Sequence, residues 1–132
     1  MIDCKETRLL EQKITEMLWR AEKYRVMFYS QKHYNQIRQA MRDQQPYAVI
    51  AQLISHALNE TPTTGSMQNA CQHMWGYFKK VANTDEKEQY RQLLHNQHFE
   101  QLLNFLKQLA ETYHVTYLLE SRILENNGTS TQ

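Results

Sequence analysis

Apolar side chains recur along this chain at the spacing of one face of an α-helix. Between Asp3 and Tyr29 the residues that share such a face are Leu10, Ile14, Met17, Leu18, Ala21 and Phe28. Ser30 has the side chain of a helix cap, so a second helix carrying Ile37 is expected after it. A single helix over residues 3–42 fits the same spacing, and the pattern leaves both arrangements open. No segment alternates with a period of two, which predicts an all-α fold.

The rest of the chain repeats this spacing between clear turn signals. Pro46 suits the first turn of a third helix with the stripe Tyr47, Ile50, Ala51, Ile54, Ala57 and Leu58. After the loop TPTTGS, Ser66 is expected to cap a fourth helix with the stripe Met67, Ala70, Cys71, Met74, Tyr77, Phe78 and Val81. Thr84 is expected to cap a fifth helix, and residues 99–125 to supply one or two more. We predict a single compact domain of five to seven helices over residues 1–125 and a polar, disordered tail over residues 126–132.

Charge adds an asymmetry to this picture. The chain has 15 Lys and Arg against 14 Asp and Glu, but residues 1–45 hold nine basic and six acidic side chains, whereas residues 83–132 hold four and seven. A basic end permits an anionic partner without requiring one. No stretch is apolar enough to span a membrane, and the N-terminus lacks the apolar core of a secretory signal. A cytoplasmic protein without a membrane partner is therefore expected.

The fourth predicted helix carries a polar line opposite its apolar stripe. Asn69, His73, Gly76 and Lys80 follow helical spacing, with Gln72 and Lys79 beside them. Such a line is ordinarily a solvated face. Glycine inside a helix costs about 1 kcal/mol relative to alanine, so Gly76 also suggests that another backbone or a ligand approaches closely. Of these two possibilities, we expect the first, in which a crossing helix packs closely against Gly76.

Basic and aromatic residues are interleaved over residues 19–34. The side chains suited to phosphate contact are Arg20, Lys23, Arg25, Lys32 and His33, and those suited to base stacking are Tyr24, Tyr29 and Tyr34. Several of these aromatic residues also have core spacing. His95 and His98 lie three residues apart without a further metal ligand at a suitable distance along the chain, and Cys4 and Cys71 are widely separated. The sequence thus predicts no metal site, no cofactor and no catalytic residue.

Two segments, EKYRVMFYSQKHYNQIR at 22–38 and NACQHMWGYFKK at 69–80, resemble the YbgA-like family of bacterial domains of unknown function. EKEQYRQLL at 86–94 and YLLESRIL at 117–124 fit the later part of that family. The positions that carry the resemblance are Lys23, Ser30, His33, Tyr34, Asn69, Gln72, His73, Gly76, Tyr77 and Lys79. Two positions depart from the family pattern: Gln31 stands where many relatives have proline, and the segment 61–70 lacks the usual arginine.

The resemblance implies a role beside chemistry on thiolated bases. Family members occur alone or fused behind a cysteine-bearing domain similar to thiouracil desulfurases, a domain that this chain lacks. The leading interpretation is a noncatalytic helical module that binds structured RNA, first of all transfer RNA, and that serves a separate enzyme acting on thiolated bases. The expected contact residues are Lys23, Lys32, His33, Tyr34, Asn69, Gln72, His73, Gly76, Lys79 and Lys80.

Two other interpretations fit the same residues. One is a protein–protein interaction module or homodimer with a polar groove around Gly76, which accounts better for the near-neutral charge. The other is a small-molecule enzyme that uses His33 and His73. On the binding interpretations, His33 and His73 are expected on the walls of one groove, with Lys23 and Lys79 or Lys80 nearby.

Overall fold

The computed structural model describes residues 4–125, and the predicted polar tail at 126–132 lies outside the described residues. The helices run α1 Cys4–Tyr29, α2 Gln31–Arg42, α3 Tyr47–Leu58, α4 Thr64–Trp75, α5 Thr84–His95, α6 Phe99–Thr112, α7 Thr116–Leu119 and α8 Arg122–Glu125. No strand occurs in this range, so the all-α prediction is confirmed. Eight helices exceed the predicted five to seven, because residues 99–125 break into three. The first break follows Tyr113, where His114 adopts a positive φ of 57°.

Ser30 separates α1 from α2, which settles the choice between one long helix and two. Its backbone is extended, with φ −161° and ψ 108°, and its side-chain oxygen accepts a hydrogen bond from the backbone N–H of His33. An N-cap serine satisfies one of the first N–H groups of a helix that have no partner inside it. The chain therefore turns at Ser30, and α2 leaves the axis of α1 to pack against α3.

Two apolar cores share α1 as their common wall. The larger core lies between the C-terminal half of α1 and α4–α8, around Met27, Met74 and Phe78. The smaller one lies between α1, α2 and α3 and consists of Val26, Ile37, Ile50, Ile54 and Ala57. Val26 and Met27 are adjacent in sequence, and consecutive helical residues point about 100° apart, so α1 serves both cores at once.

The start of α4 differs from the prediction in its cap. Thr63, and not Ser66, is the N-cap residue, and its side chain accepts a hydrogen bond from the backbone N–H of Ser66. Ser66 completes a capping box by accepting a hydrogen bond from the backbone N–H of Thr63. The fifth helix is likewise capped one residue earlier than expected, by Asn83. Pro46 occupies the N-cap position of α3, directly before its first turn.

The end of α4 also differs, since the predicted helix continues to Val81 whereas α4 stops at Trp75 with Gly76 as C-cap. The next two N–H groups bond three residues back, from Tyr77 to Met74 and from Phe78 to Trp75. This tighter turn has three residues per turn and rotates the side chains that follow it. Phe78 still enters the core, whereas Tyr77 and Val81 are exposed. Glycine stabilises a helix poorly, which accounts for the helix ending here.

The N-terminal half of α1 does not join a core. Leu10, Ile14 and Met17, which the apolar spacing places on the buried face, are all exposed. That prediction is wrong for this half of the helix and holds for Phe28 in the other half. None of the helices among residues 4–125 has the length and apolar character needed to cross a membrane.

Candidate functional site

A polar cleft of about 780 Å³ opens where the end of α1 meets the starts of α2 and α4. Its lining residues are Tyr29, Ser30, Gln31, Glu60, Thr61, Thr63, Gly65, Ser66, Asn69 and His73. The cleft is anchored by buried Ser66, whose hydroxyl lies 2.8 Å from the backbone carbonyl of Phe28 and donates to it. Gln31 and Asn69 bridge α2 and α4 by a side-chain hydrogen bond. Two of the predicted contact residues, Asn69 and His73, therefore face one cavity.

Two helix N-termini border this cleft. Ser30 caps α2 and Thr63 caps α4, and both residues belong to the cleft wall. The first N–H groups of a helix carry partial positive charge, which favours anionic groups nearby. The exposed carboxylate of Glu60 on the same wall offsets part of this effect.

His33 adjoins the cleft without being part of its wall. Its Nδ1 lies 2.7 Å from the hydroxyl of Ser30 and 3.9 Å from a carboxylate oxygen of Glu60. A serine nucleophile and its acid orient a histidine from opposite ring nitrogens, whereas here both contacts reach Nδ1. Ser30 also accepts the backbone N–H of His33 as the cap of α2, so this serine–histidine contact is part of a helix cap and does not have the geometry of a Ser–His–acid triad.

A second feature is a cluster of three tyrosines, Tyr24, Tyr77 and Tyr117, which we call the tyrosine cluster. The hydroxyl oxygens of Tyr24 and Tyr77 are 3.2 Å apart. The rings of Tyr77 and Tyr117 are stacked with centroids 6.1 Å apart, and Tyr24 meets both rings edge-on. Burial, followed by the hydrogen bond to Tyr77, raises the pKa of Tyr24 well above its usual range. The phenol of Tyr24 therefore stays protonated and neutral at physiological pH.

Two cations lie on the tyrosine cluster. The guanidinium carbon of Arg20 is 4.6 Å from the ring centre of Tyr117, and Nζ of Lys23 is 5.8 Å from the same centre. Arg20 also contacts Glu120 at 3.1 Å, but both side chains are about half exposed, and such surface pairs are weak. Tyr77 keeps 40% of its surface accessible. The cluster thus offers an exposed aromatic ring next to positive charge.

The cleft residue His73 and the cluster residue Tyr77 are close along the chain, on either side of the C-terminal end of α4. Tyr77 follows His73 by four residues, and Gly76 between them keeps right-handed helical dihedrals. One helical turn is about 5.4 Å long, so His73 and Tyr77 lie about one turn apart. Two residues after Tyr77, Lys79 lines a separate cavity with Lys87 and Arg91.

The remaining predicted contact residues are spread over this end of the molecule. Lys23 lies on the tyrosine cluster and Lys79 faces α5, so neither belongs to the cleft wall that contains His73. Lys32, Gln72 and Lys80 are exposed. Tyr34 is half-buried, with its ring centre 5.7 Å from that of Trp19, and packs against both cores. The structure therefore separates the predicted single groove into a cleft and a flanking aromatic surface.

The packing expected at Gly76 is also absent. A Cβ on Gly76 would lie 3.1 Å from the carbonyl oxygen of His73 and 3.9 Å from that of Gln72, and no other described atom comes within 4 Å, its chain neighbours apart. Both carbonyls belong to the preceding turn, so no crossing helix requires a glycine here. That prediction is wrong, and the reason is that Gly76 ends α4 at the surface instead of lying in its middle.

Sequence reasoning missed Glu60 and Tyr117 as neighbours of the site. Tyr117 is 93 residues from Tyr24 along the chain, and nothing in local spacing indicates that their rings meet. Tyr77 could have been recognised from the sequence, because it belongs to the Asn-x-x-Gln-His-x-x-Gly-Tyr-x-Lys pattern that carries the family resemblance. Among residues 4–125, no three His, Cys, Asp or Glu side chains come together as metal ligands would.

Comparison with known proteins identifies the family. The family described as "protein of unknown function (DUF1722)" matches residues 23–127. No curated protein and no solved structure matches the chain. Because the match covers most of the chain and includes every helix from α2 to α8, the protein belongs to the DUF1722 family, in agreement with the YbgA-like resemblance of its sequence.

Proposed function

We propose that this protein is a noncatalytic cytoplasmic module that binds structured RNA, with an unpaired base stacking on Tyr77. The observation that carries the proposal is the exposed ring of Tyr77 in a cluster that bears Arg20 and Lys23. Proteins that hold unpaired bases combine aromatic platforms with cations that track the backbone. The resemblance to YbgA-like proteins makes transfer RNA the first RNA to test.

Cations close to Tyr77 in space and in sequence support backbone contact. Arg20 and Lys23 lie on its cluster partner Tyr117, and Lys79, two residues after Tyr77, lines a cavity with Lys87 and Arg91. Lys80, three residues after Tyr77, is exposed. The net charge of +1 is low for an RNA-binding protein, so in this proposal the contact depends on these few cations and not on a general positive field. We expect moderate affinity that falls steeply with salt.

The polar cleft supplies groups that suit a sugar or phosphate beside the stacked base. His73 lies about one helical turn from Tyr77, and Asn69 faces the same cavity. Amide and imidazole side chains bind ribose hydroxyls and base edges, and the helix N-termini at Ser30 and Thr63 favour a phosphate oxygen. In this proposal the cleft extends the binding surface from a single base to the neighbouring nucleotide.

The test is a titration of transfer RNA at two salt concentrations with matched tyrosine variants. Tyr77→Ala removes the exposed ring, and Tyr47→Ala removes a tyrosine on α3 that is similarly exposed, at 39% against 40%. Stacking of a base is worth roughly 1–3 kcal/mol, so Tyr77→Ala should weaken binding by about 5- to 150-fold and Tyr47→Ala should leave it unchanged. Thermal melts of both variants verify folding, since Tyr77 also contacts Tyr24.

Two results would count against the proposal. If Tyr77→Ala binds transfer RNA as tightly as the unaltered protein does, no base stacks on Tyr77. Affinity that does not change between the two salt concentrations would exclude phosphate contact and favour the protein–protein interaction module instead.

A further inference from the structure

The N-terminal half of α1 presents an apolar stripe to solvent. Leu10, Ile14 and Met17 are 53%, 54% and 65% exposed, and they lie on one face of the helix. Single exposed apolar residues are common on protein surfaces, but a row of large ones on one helix face marks an interaction site. The stripe, defined by these three residues, continues into a groove between α1 and α3 that Leu18 and Tyr47 help to line.

The geometry of the fold explains why this stripe stays open. α1 has 26 residues and α4 only 12, and the two run antiparallel, since Ser66 meets Phe28 while Tyr77 meets Tyr24. α4 therefore covers the stripe face only as far as Tyr24. α7 and α8 reach α1 near Arg20 and Glu22. The turn between α2 and α3 packs on the far side of α1, where Thr15 is buried.

The spacing of the apolar residues indicates that the partner of the stripe is another helix. Leu10, Ile14 and Met17, with Ala21 after them, are separated by four, three and four residues, the alternation of four- and three-residue steps that a helix-to-helix seam requires. Such a seam accepts another helix with the same period. α1 itself has that period, and in a two-fold dimer each copy offers the same surface to the other.

We propose that this protein forms a homodimer in which the stripe of α1 packs antiparallel against the stripe of a second copy. The antiparallel direction follows from the fold. From Tyr24 onward, the face that carries the stripe is buried under α4 and its neighbours. In a parallel dimer the C-terminal half of each α1, with the helices packed on it, would meet the same half of the other copy and clash. In an antiparallel dimer the helices α4–α8 of the two copies lie at opposite ends of the contact between the α1 helices.

The area is sufficient for a weak specific dimer. Leu10, Ile14 and Met17 are 53%, 54% and 65% exposed and the flanking Tyr47 is 39% exposed, so each offers on the order of 100 Å² of mostly apolar surface. Homodimer interfaces are about two-thirds apolar, so the buried area is roughly 600 Å² per copy and about 1,200 Å² in total. That total lies at the lower bound of specific protein–protein interfaces, and dissociation in the micromolar range is expected.

Sedimentation velocity from about 1 to about 200 µM, in reducing buffer, tests the dimer. Reductant prevents disulfides through Cys4, which is exposed. The mass should rise with concentration from 15.9 kDa toward twice that value. The double variant Ile14→Lys/Met17→Lys should remain monomeric throughout, because it puts like charges into the seam. Val81→Lys changes a residue that is as exposed as Ile14, and this variant should dimerise like the unaltered protein.

Cysteine cross-linking tests the contact itself. In a Cys4→Ser background, a cysteine in place of Leu10, Ile14 or Met17 should give disulfide dimers under mild oxidation, and Val81→Cys should not. Cross-linking at one or more stripe positions together with loss of dimer in the double variant supports the proposal. A monomer at every concentration, a double variant that dimerises normally, or no cross-link at any of the three positions overturns it.

Discussion

The hydroxyl of Ser66 donates a hydrogen bond of 2.8 Å to the backbone carbonyl of Phe28 and so ties the first turn of α4 to the last turn of α1. The same oxygen accepts a hydrogen bond of 3.0 Å from the backbone N–H of Thr63. One buried side chain thus closes the cap of α4 and positions the cleft wall formed by Asn69 and His73.

Ser66→Ala should therefore destabilise the protein. The substitution leaves the carbonyl of Phe28 and the N–H of Thr63 without this partner, and a lost buried hydrogen bond costs about 1–3 kcal/mol. Urea titration measures the free energy of unfolding. Ser55→Ala, at an exposed serine of α3, should change it by less than about 0.5 kcal/mol. Equal effects of the two substitutions would show that the bond does not hold α4 in place.

Phe78 and Met74 lie in the larger core with no exposed surface. Replacing either with alanine removes buried apolar atoms and leaves a cavity, so a loss of about 2–5 kcal/mol is expected in urea titration. Val81→Ala, in the same segment but exposed, should cost little. If Phe78→Ala left the free energy of unfolding almost unchanged, the segment Gly76–Val81 would not pack into the larger core.

Gly76→Ala should change stability only slightly. Alanine restricts the unfolded chain and fits the helical dihedrals of this position, a gain of about 0.5–1 kcal/mol. The new methyl would lie 3.1 Å from the carbonyl oxygen of His73, which must shift by a few tenths of an ångström. That carbonyl belongs to the last, exposed turn of α4 and can tilt, so we expect a net gain of at most about 0.5 kcal/mol in a thermal melt. A loss above about 1 kcal/mol would show that the turn after α4 is rigid.

The pair Lys79→Glu and Lys80→Glu addresses the phosphate contacts of the proposed function. If both lysines neutralise phosphates, their loss should reduce the slope of log affinity against log salt by roughly one to two units. Titration of transfer RNA at several salt concentrations gives the slope. Lys13→Glu, at an exposed position of α1 about three helical turns before Tyr24, provides a charge-reversal control. A slope unchanged from that of the unaltered protein would exclude both lysines from the contact.

Stability should fall at alkaline pH. Burial raises the pKa of Cys71 from 9.0 to about 12, and burial is also the main cause that raises the pKa of Tyr90 from 10.0 to about 12. Between the ordinary and the raised values the unfolded chain loses these protons while the folded protein keeps them, so the free energy of unfolding decreases as pH rises. Urea titrations at pH 8, 10 and 11 follow the decrease, and Tyr90→Phe should flatten it above about pH 10. An identical slope in Tyr90→Phe would contradict burial of the phenol.

The local pattern determined the helices and the chemistry available to them. Spacing predicted the helical class, and the loop at 61–66 marked the start of α4 to within a turn. Ser30 was recognisable as a candidate cap, but the choice between one helix and two over residues 3–42 stayed open until the structure showed the break there. These features depend on residues within a few positions of each other, where hydrogen bonds and side-chain spacing act directly. The family resemblance also lay in short local segments, which is why it could be found from the sequence.

Only the tertiary structure decided which apolar faces are covered and which polar residues meet. Met17 and Phe28 share the predicted apolar face of α1, yet one is exposed and the other buried, because α4 and the turn after it meet this face only from Tyr24 onward. In the same way, Tyr24, Tyr77 and Tyr117 meet from three distant segments, and Lys23 and Lys79 face different neighbours. The length and direction of packed helices set these relationships, and helical periodicity contains information only about each helix by itself.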